Sequence, residues 1–233
     1  MHKISLALAL VLPAPVLAQD VLDVPEGCTA QVTVQQKDCT VSHHFTCEAD
    51  EDGSRRRADF DLEGLTYAGL IDNETQWVES YRPFSNTTDR LLKSKDPASF
   101  SNLVEKGEDS FDFTTESTNG TITRYIGSDR LTGETVEIDN VVLDRTEYEV
   151  RAFSETGELM WKSVGREFIQ QDWRTFLGGV STVSSGEEDT EFEATEDSSP
   201  VDFIFPGETG FLSLTPIHGC AVQAISFSLD TAQ

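Results

Sequence analysis

Along most of this chain, short runs of alternating apolar and polar residues are cut by turn dipeptides, and no other feature restricts the fold as much. The pairs Asp52-Gly53, Asn119-Gly120, Thr132-Gly133 and Thr156-Gly157 stand at hairpin spacing. Strands are predicted at residues 57–61, 65–71, 76–82, 110–115, 121–127, 135–138, 147–153 and 159–164. Further strands are predicted near Ser181 and at 201–205, 211–215 and 221–229. Tyr148, Val150 and Ala152 share one face of their run, while Glu147, Glu149 and Arg151 share the other. One buried face and one wet face is the pattern of an antiparallel meander. A meander this long must either stack into a sandwich or curl around its apolar face. The expected fold is therefore all-β, an antiparallel meander forming a barrel or a strongly curved half-barrel.

One short helix interrupts the pattern. In "DPASFSNLVEKG", Asp96 can cap, Pro97 suits the first helical position and Gly107 follows the end. Phe100, Leu103 and Val104 make one apolar stripe, which should lie on the sheet and can close one end of a barrel. Ile169, Trp173, Phe176 and Leu177 also follow helical spacing, but they sit inside a run of hairpins without an N-cap, and strand is the preferred reading.

The first eighteen residues have the three parts of an export signal. Lys3 supplies the positive end, residues 4–12 the apolar run, and Val16-Leu17-Ala18 a small-residue cleavage site before Gln19. The apolar run is too short to span a bilayer, and no later stretch is apolar enough to do so. One domain is expected over residues 19–233, soluble and exported, with no stable membrane insertion. Against 42 acidic residues stand 17 basic ones, a net charge of −25. That field repels nucleic acid and anionic headgroups, which excludes nucleic acid as a partner. The densest acidic stretch, 184–199, reads as a solvated loop. It lacks the ordered carboxylate spacing of a calcium loop.

Four cysteines in an exported chain point to two disulfides, for which three pairings exist. The runs "TAQVTVQQ" and "CTVSHHFT" read as a hairpin turning at Lys37-Asp38. If those two residues are the loop, facing residues have numbers summing to 75, and Cys28 falls opposite Cys47. Cys39 is then left for Cys220. The competing arrangement is Cys39 with Cys47 and Cys28 with Cys220. His43, His44 and His218 lie near these cysteines and would be the ligands of a metal site. Adjacent residues on a strand point to opposite faces, so His43 and His44 do not readily share one ion, and no metal and no cofactor is expected.

No catalytic signature is present: no G-x-S-x-G, S-x-x-K, H-E-x-x-H, phosphate-binding glycine loop or dinucleotide fingerprint. Asp129-Arg130 and Asp144-Arg145 read as turn or surface ion pairs. The acidic residues leave a carboxylate-based hydrolase open, and the acidic surface leaves an envelope interaction protein open. The preferred expectation is a carrier or sensor of a small apolar or amphipathic ligand. Its wall would be built by the bulky, polar-tipped aromatics Trp77, Tyr125, Tyr148, Trp161 and Trp173.

The segments "CTVSHHFTCEAD", "IDNETQWVESY" and "DRLTGETVEID" resemble parts of exported proteins of alphaproteobacteria that bring no catalytic residue with them. The resemblance extends over most of the chain after the leader, and it implies a periplasmic location. In architecture alone, leader, meander and single helix are similar to lipocalins and lipoprotein-carrier half-barrels.

Overall fold

The computed structural model describes residues 21–185 and 193–220. The leader expected at 1–18 and the strand expected at 221–229 lie outside the described residues. Thirteen strands and one helix follow in order. They are β1 (Cys28–Gln36), β2 (Val41–Cys47), β3 (Arg55–Phe60), β4 (Leu65–Ile71), β5 (Trp77–Arg82), β6 (Thr87–Asp96), α1 (Phe100–Lys106), β7 (Glu108–Ser117), β8 (Ile122–Ile138), β9 (Val141–Ser154), β10 (Leu159–Gln170), β11 (Thr175–Ser185), β12 (Glu193–Asp197) and β13 (Pro200–Ile204). The strands form one antiparallel sheet in which β1 to β12 pair strictly with their chain neighbours and β13 returns to pair with β1. The meander expected from alternation is this sheet.

The ladder is not closed, yet its two edges meet. β12 lies on one edge and β13 on the other, and only Ser198 and Ser199 separate them in the chain. Residues 193–204 thus run as one kinked segment whose first half pairs with β11 and whose second half pairs with β1. Proline begins the second half, at Pro200, where the register of β1 also shifts. Three contacts hold the junction: the Ser198 N–H donates to Gly179 O, the Lys37 N–H donates to Ser199 O, and Lys37 Nζ pairs with Asp197 at 3.1 Å. The acidic stretch is therefore not simply a loop. Its residues Glu193–Asp197 form strand β12, because they can satisfy their backbone against Val180–Ser184.

The first hairpin carries both disulfides, Cys28–Cys47 and Cys39–Cys220. Next to the turn, facing residues sum to 76: Gln35 opposes Val41 and Thr33 opposes His43. The loop is one residue longer than the two-residue turn expected, because Cys39 belongs to it with a left-handed φ of 63°. A bulge at Gln31 then removes the extra residue, and from Ala30–Phe45 onward the pairs sum to 75. Cys28 arrives opposite Cys47 with their Cα atoms 3.9 Å apart. The segment after β13 runs across this hairpin. Leu212 N–H donates to Thr33 Oγ1, Ile217 N–H to Gln35 Oε1, and Gln35 Nε2 to Thr215 O. The strand expected at 211–215 is instead this irregular strap, which keeps a single bridge between Val21 and Ser213.

Three further expectations shift. β6 was not anticipated: its threonines and exposed lysines give little apolar alternation, and its pairing with β5 and β7 decides it. Thr132-Gly133 does not reverse the chain. β8 continues through it with a bulge between Leu131 and Thr135, and the reversal comes at Asp139-Asn140, both with positive φ as a two-residue hairpin turn requires. The helix starts later than expected, at Phe100, because Asp96 is held in the ladder opposite Asp112 and Ser99 caps by accepting from Asn102 N–H. Its end at Gly107 is as expected. Ile169 and Leu177 belong to the β10–β11 hairpin, so strand was the correct reading of that region.

Core residues gather in three clusters. Val32, Val34, Val141, Leu143, Phe168, Leu177 and Phe203 form the first. Phe111, Phe113, Tyr125, Val150 and Ala152 form the second. Phe100 and Leu103 of α1 meet Ile169 in the third, with Phe176 and Leu131 beside them. The last cluster fixes α1 against strands β8, β10 and β11, and the loop between β4 and β5 joins it. Glu74 there accepts from Ser101 N–H, Ser101 Oγ and Ser99 Oγ, and pairs with Arg174 at 2.7 Å. Burial pushes the Glu74 carboxyl up, but the Ser101 hydrogen bonds, the Arg174 charge and Ser99 together hold it below its ordinary range.

Candidate functional site

The curl brings β2 to β4 across from β7 to β10, and between the two walls lies a chamber of about 240 Å³. That is space for roughly eight waters at about 30 Å³ each. One side is apolar: Trp77, Phe111, Phe113, Tyr148, Val150 and Phe176. The other side, β2–β4, is polar with His44, Arg55, Arg57 and Tyr67, and Asp129 and Glu167 stand among the apolar residues of the facing β8–β10. Period-two alternation selects these residues. Phe111 and Phe113, Arg55 and Arg57, and Tyr148 and Val150 are each two apart on their strands.

The aromatic wall is seated on glycines. A Cβ at Gly127 would lie 2.4 Å from Phe111 Cζ, and one at Gly165 would lie 2.8 Å from Tyr148 Cε1. Both rings lie flat over strands that have no side chain at those points. Trp77 packs edge-on to Phe113 at 5.5 Å and to Tyr125 at 5.4 Å between ring centroids. Tyr148 Oη is fixed by Ser163 Oγ at 2.8 Å.

The polar wall is unequally compensated. Arg56 is neutralised by a two-pronged pair with Asp50, both contacts 2.7 Å. Arg57 pairs with Asp59 at 3.1 Å and lies over the Tyr67 ring. Asp59 also accepts from Ser42 Oγ at 2.6 Å. Arg55 Nη1 donates only to Gly53 O, and no carboxylate pairs with it among the described residues. The Nε–H groups of Arg55 and Arg57 are buried without an acceptor among the described residues. Burial and the neighbouring Arg174 charge push the Arg55 guanidinium down. For Arg57, burial acts downward, but Asp59 and the other nearby acids outweigh it.

Asp129 and Glu167 stand in the opposite wall with no ion pair among the described residues. Burial, reinforced by Asp109, pushes Asp129 up to about 7. Burial and the charge of Asp129 push Glu167 up to about 8, against the pull of Arg57. Both are half-buried, and such surface as they keep opens into hollows of the sheet. His44 is driven down to about 3 by burial, then by Arg57 and His43, and is a neutral imidazole.

The five aromatics expected to form a ligand wall are divided. Trp77 and Tyr148 line the chamber. Tyr125 sits one layer back, stacked on Phe113 at 5.2 Å, and Trp161 lies behind it against Tyr125 at 6.0 Å. Trp173 is elsewhere, packed on Phe203 and Phe205, because the turn between β10 and β11 carries it away. His43 and His44 point to opposite faces, as adjacent strand residues do: His43 Nδ1 meets Thr33 Oγ1 at 3.0 Å under the strap, and His44 faces the chamber. His218 pairs with Asp202 at 2.6 Å. Among the described residues no group of three or more potential metal ligands converges.

Residues 55, 57, 129 and 167 were not anticipated as a site. Asp129 in particular is no turn or surface pair. It lies inside β8 facing the chamber, while its neighbour Arg130 turns away to Glu147. A signal was present in "RRR", three consecutive bases in a strongly acidic chain, and in the placement of Glu167 two residues before the buried Ile169. None of the described helices is long and apolar enough to cross a membrane. Comparison of the chain with protein-family models, curated proteins and solved structures finds no match.

Proposed function

We propose that the protein is an exported, periplasmic carrier or sensor that holds a small apolar or amphipathic ligand in the chamber between β2–β4 and β7–β10. The observation that carries this reading is the chamber itself, a partly open hollow lined by aromatic side chains and by the polar groups of Arg55, Arg57, Asp129 and Glu167. A dry core would fill that space, and a surface-acting interaction protein has no use for it. The volume is below the common range for drug-sized ligands, so the reading favours a short-chain molecule. Purification of the protein from its exported location, solvent extraction and mass spectrometry test it. A stoichiometric lipid-like or other amphipathic molecule supports the carrier. Absence of any extractable ligand, together with absence of a saturable, displaceable site for a hydrophobic dye, refutes it.

A second reading rests on Asp129 and Glu167. Two carboxyls held protonated near neutral pH in a cleft also suit a hydrolase acid. Turnover of chromogenic ester or glycoside substrates that is lost in Asp129→Asn supports that reading over the carrier.

A further inference from the structure

We propose that the chamber takes an amphipath with an anionic, carboxylate-type head, the head on the Arg55 and Arg57 guanidinium groups and the tail against Trp77, Phe111 and Phe113. The inference rests on the carrier reading and names its ligand class. Its first ground is hydrogen-bond chemistry. Arginine has donors and no acceptor, and the Nε–H groups of both residues are buried without a partner among the described residues. The Arg55 and Arg57 side chains line the chamber, and a carboxylate there supplies acceptors that fit a guanidinium fork with two parallel hydrogen bonds. An ammonium head supplies no acceptor at all.

The charge around the chamber points the same way. Asp50 neutralises Arg56 and Asp59 neutralises Arg57. His44 is neutral, and burial pushes the Tyr148 hydroxyl up, so it carries no charge at neutral pH. Asp129 and Glu167 remain protonated at pH 6, which leaves Arg55 as the uncompensated cation of the wall. Asp109 of β7 directly opposes Asp129 on the neighbouring strand, and Asp38, Asp61 and Glu196 line a second hollow that shares Arg57 and Glu167 with the chamber. Arg57 pulls against Glu167 and Lys106 acts on Asp109, but the other neighbours are acidic, so raising the pH adds negative charge around the chamber. Ionisation of Asp129 and Glu167 between pH 6 and pH 9 turns the wall against an anion, and the ligand is released as pH rises.

The test uses the full mature protein and three ten-carbon probes, decanoate, decanol and decylamine, titrated by calorimetry and by displacement of a hydrophobic dye. Alkyl carboxylates and alkyl ammonium groups keep their charges from pH 6 to 9, as Glu and Lys side chains do. At pH 6 decanoate is expected to bind about tenfold tighter than decanol and tighter still than decylamine. Arg55→Met should remove that preference and leave decanol binding in place, and Arg55→Lys should restore part of it. Decanoate affinity should fall about tenfold or more from pH 6 to pH 9, and the fall should vanish in Asp129→Asn/Glu167→Gln. Equal binding of all three probes overturns the anionic head but leaves the carrier standing. Preference for decylamine overturns it in favour of the two carboxyls. Binding of none of the three overturns this proposal and the carrier reading together.

Discussion

Loss of the Cys39–Cys220 bridge should cost more stability than loss of Cys28–Cys47, by an amount fixed by where the bridges fall in the chain. They span sequence separations of 181 and 19 residues. The entropy removed from the unfolded chain grows with the logarithm of the loop, giving about 5 kcal/mol for the long bridge and about 3 kcal/mol for the short one. The difference is about 2 kcal/mol. Hydrogen bonds from the strap to Thr33 and Gln35 do not erase it, because they exist only in the folded state. Alanine is the right replacement, since Cys39 is fully buried and a serine hydroxyl there would want a partner. The variants Cys39→Ala/Cys220→Ala and Cys28→Ala/Cys47→Ala are to be unfolded in urea without reductant, following tryptophan fluorescence. Non-reducing peptide mapping of the parent establishes the pairing in the same preparation. Equal losses, or a greater loss from the short bridge, would refute the chain-entropy reasoning and place the effect in folded-state contacts.

Three other outcomes follow from packing and charge. Gly165→Ala should lower stability by about 1–3 kcal/mol in denaturant titration, since the new Cβ would lie 2.5 Å from Val180 O and 2.8 Å from the Tyr148 ring. The raised carboxyls Asp129 and Glu167 ionise at lower pH in the unfolded chain than in the fold, so the melting temperature should decline as pH rises from about 4 through 8. Asp129→Asn/Glu167→Gln should flatten that decline. The opposite sign applies to Glu74, which is held below its ordinary range: its contribution is present above the ordinary carboxylate pKa and is lost as pH falls through the folded value. Arg174→Ala should cost about 1 kcal/mol at neutral pH, modest because the pair is partly exposed, and should shrink the acid-side loss in a pH series of melting curves.

Local alternation made the sheet legible, and the first hairpin shows where local reasoning stops. Counting from a two-residue turn led to Cys28 opposite Cys47, and the pairing is right although the turn has three residues. The omitted loop residue and the unforeseen bulge at Gln31 cancel. Bulges leave little mark in composition, so neither error could be seen in the sequence. β6 was missed for a different reason: its support comes from neighbours on both sides, and its own residues do not alternate. The site was harder. Trp77 and Tyr148 announce themselves by size, but Arg57 and Glu167 are 110 positions apart and meet only because the six strands between them curl. In a chain where a quarter of the residues are charged, no single charge stands out until curvature sorts them into inside and outside.

The kinked segment at residues 193–204 also sets an order of events. Strand β1 is made early, and the partner for its outer edge, Pro200–Ile204, is among the last pieces of the described chain to emerge. Until then the growing sheet keeps an open row of backbone donors and acceptors at β1, a template for any stray strand. Contacts this distant in sequence form slowly. The vulnerable period for aggregation therefore lasts until that distant partner is in place. It ends when the last strands dock, and oxidation of Cys39 with Cys220 then locks the strap across the hairpin that had waited longest for cover.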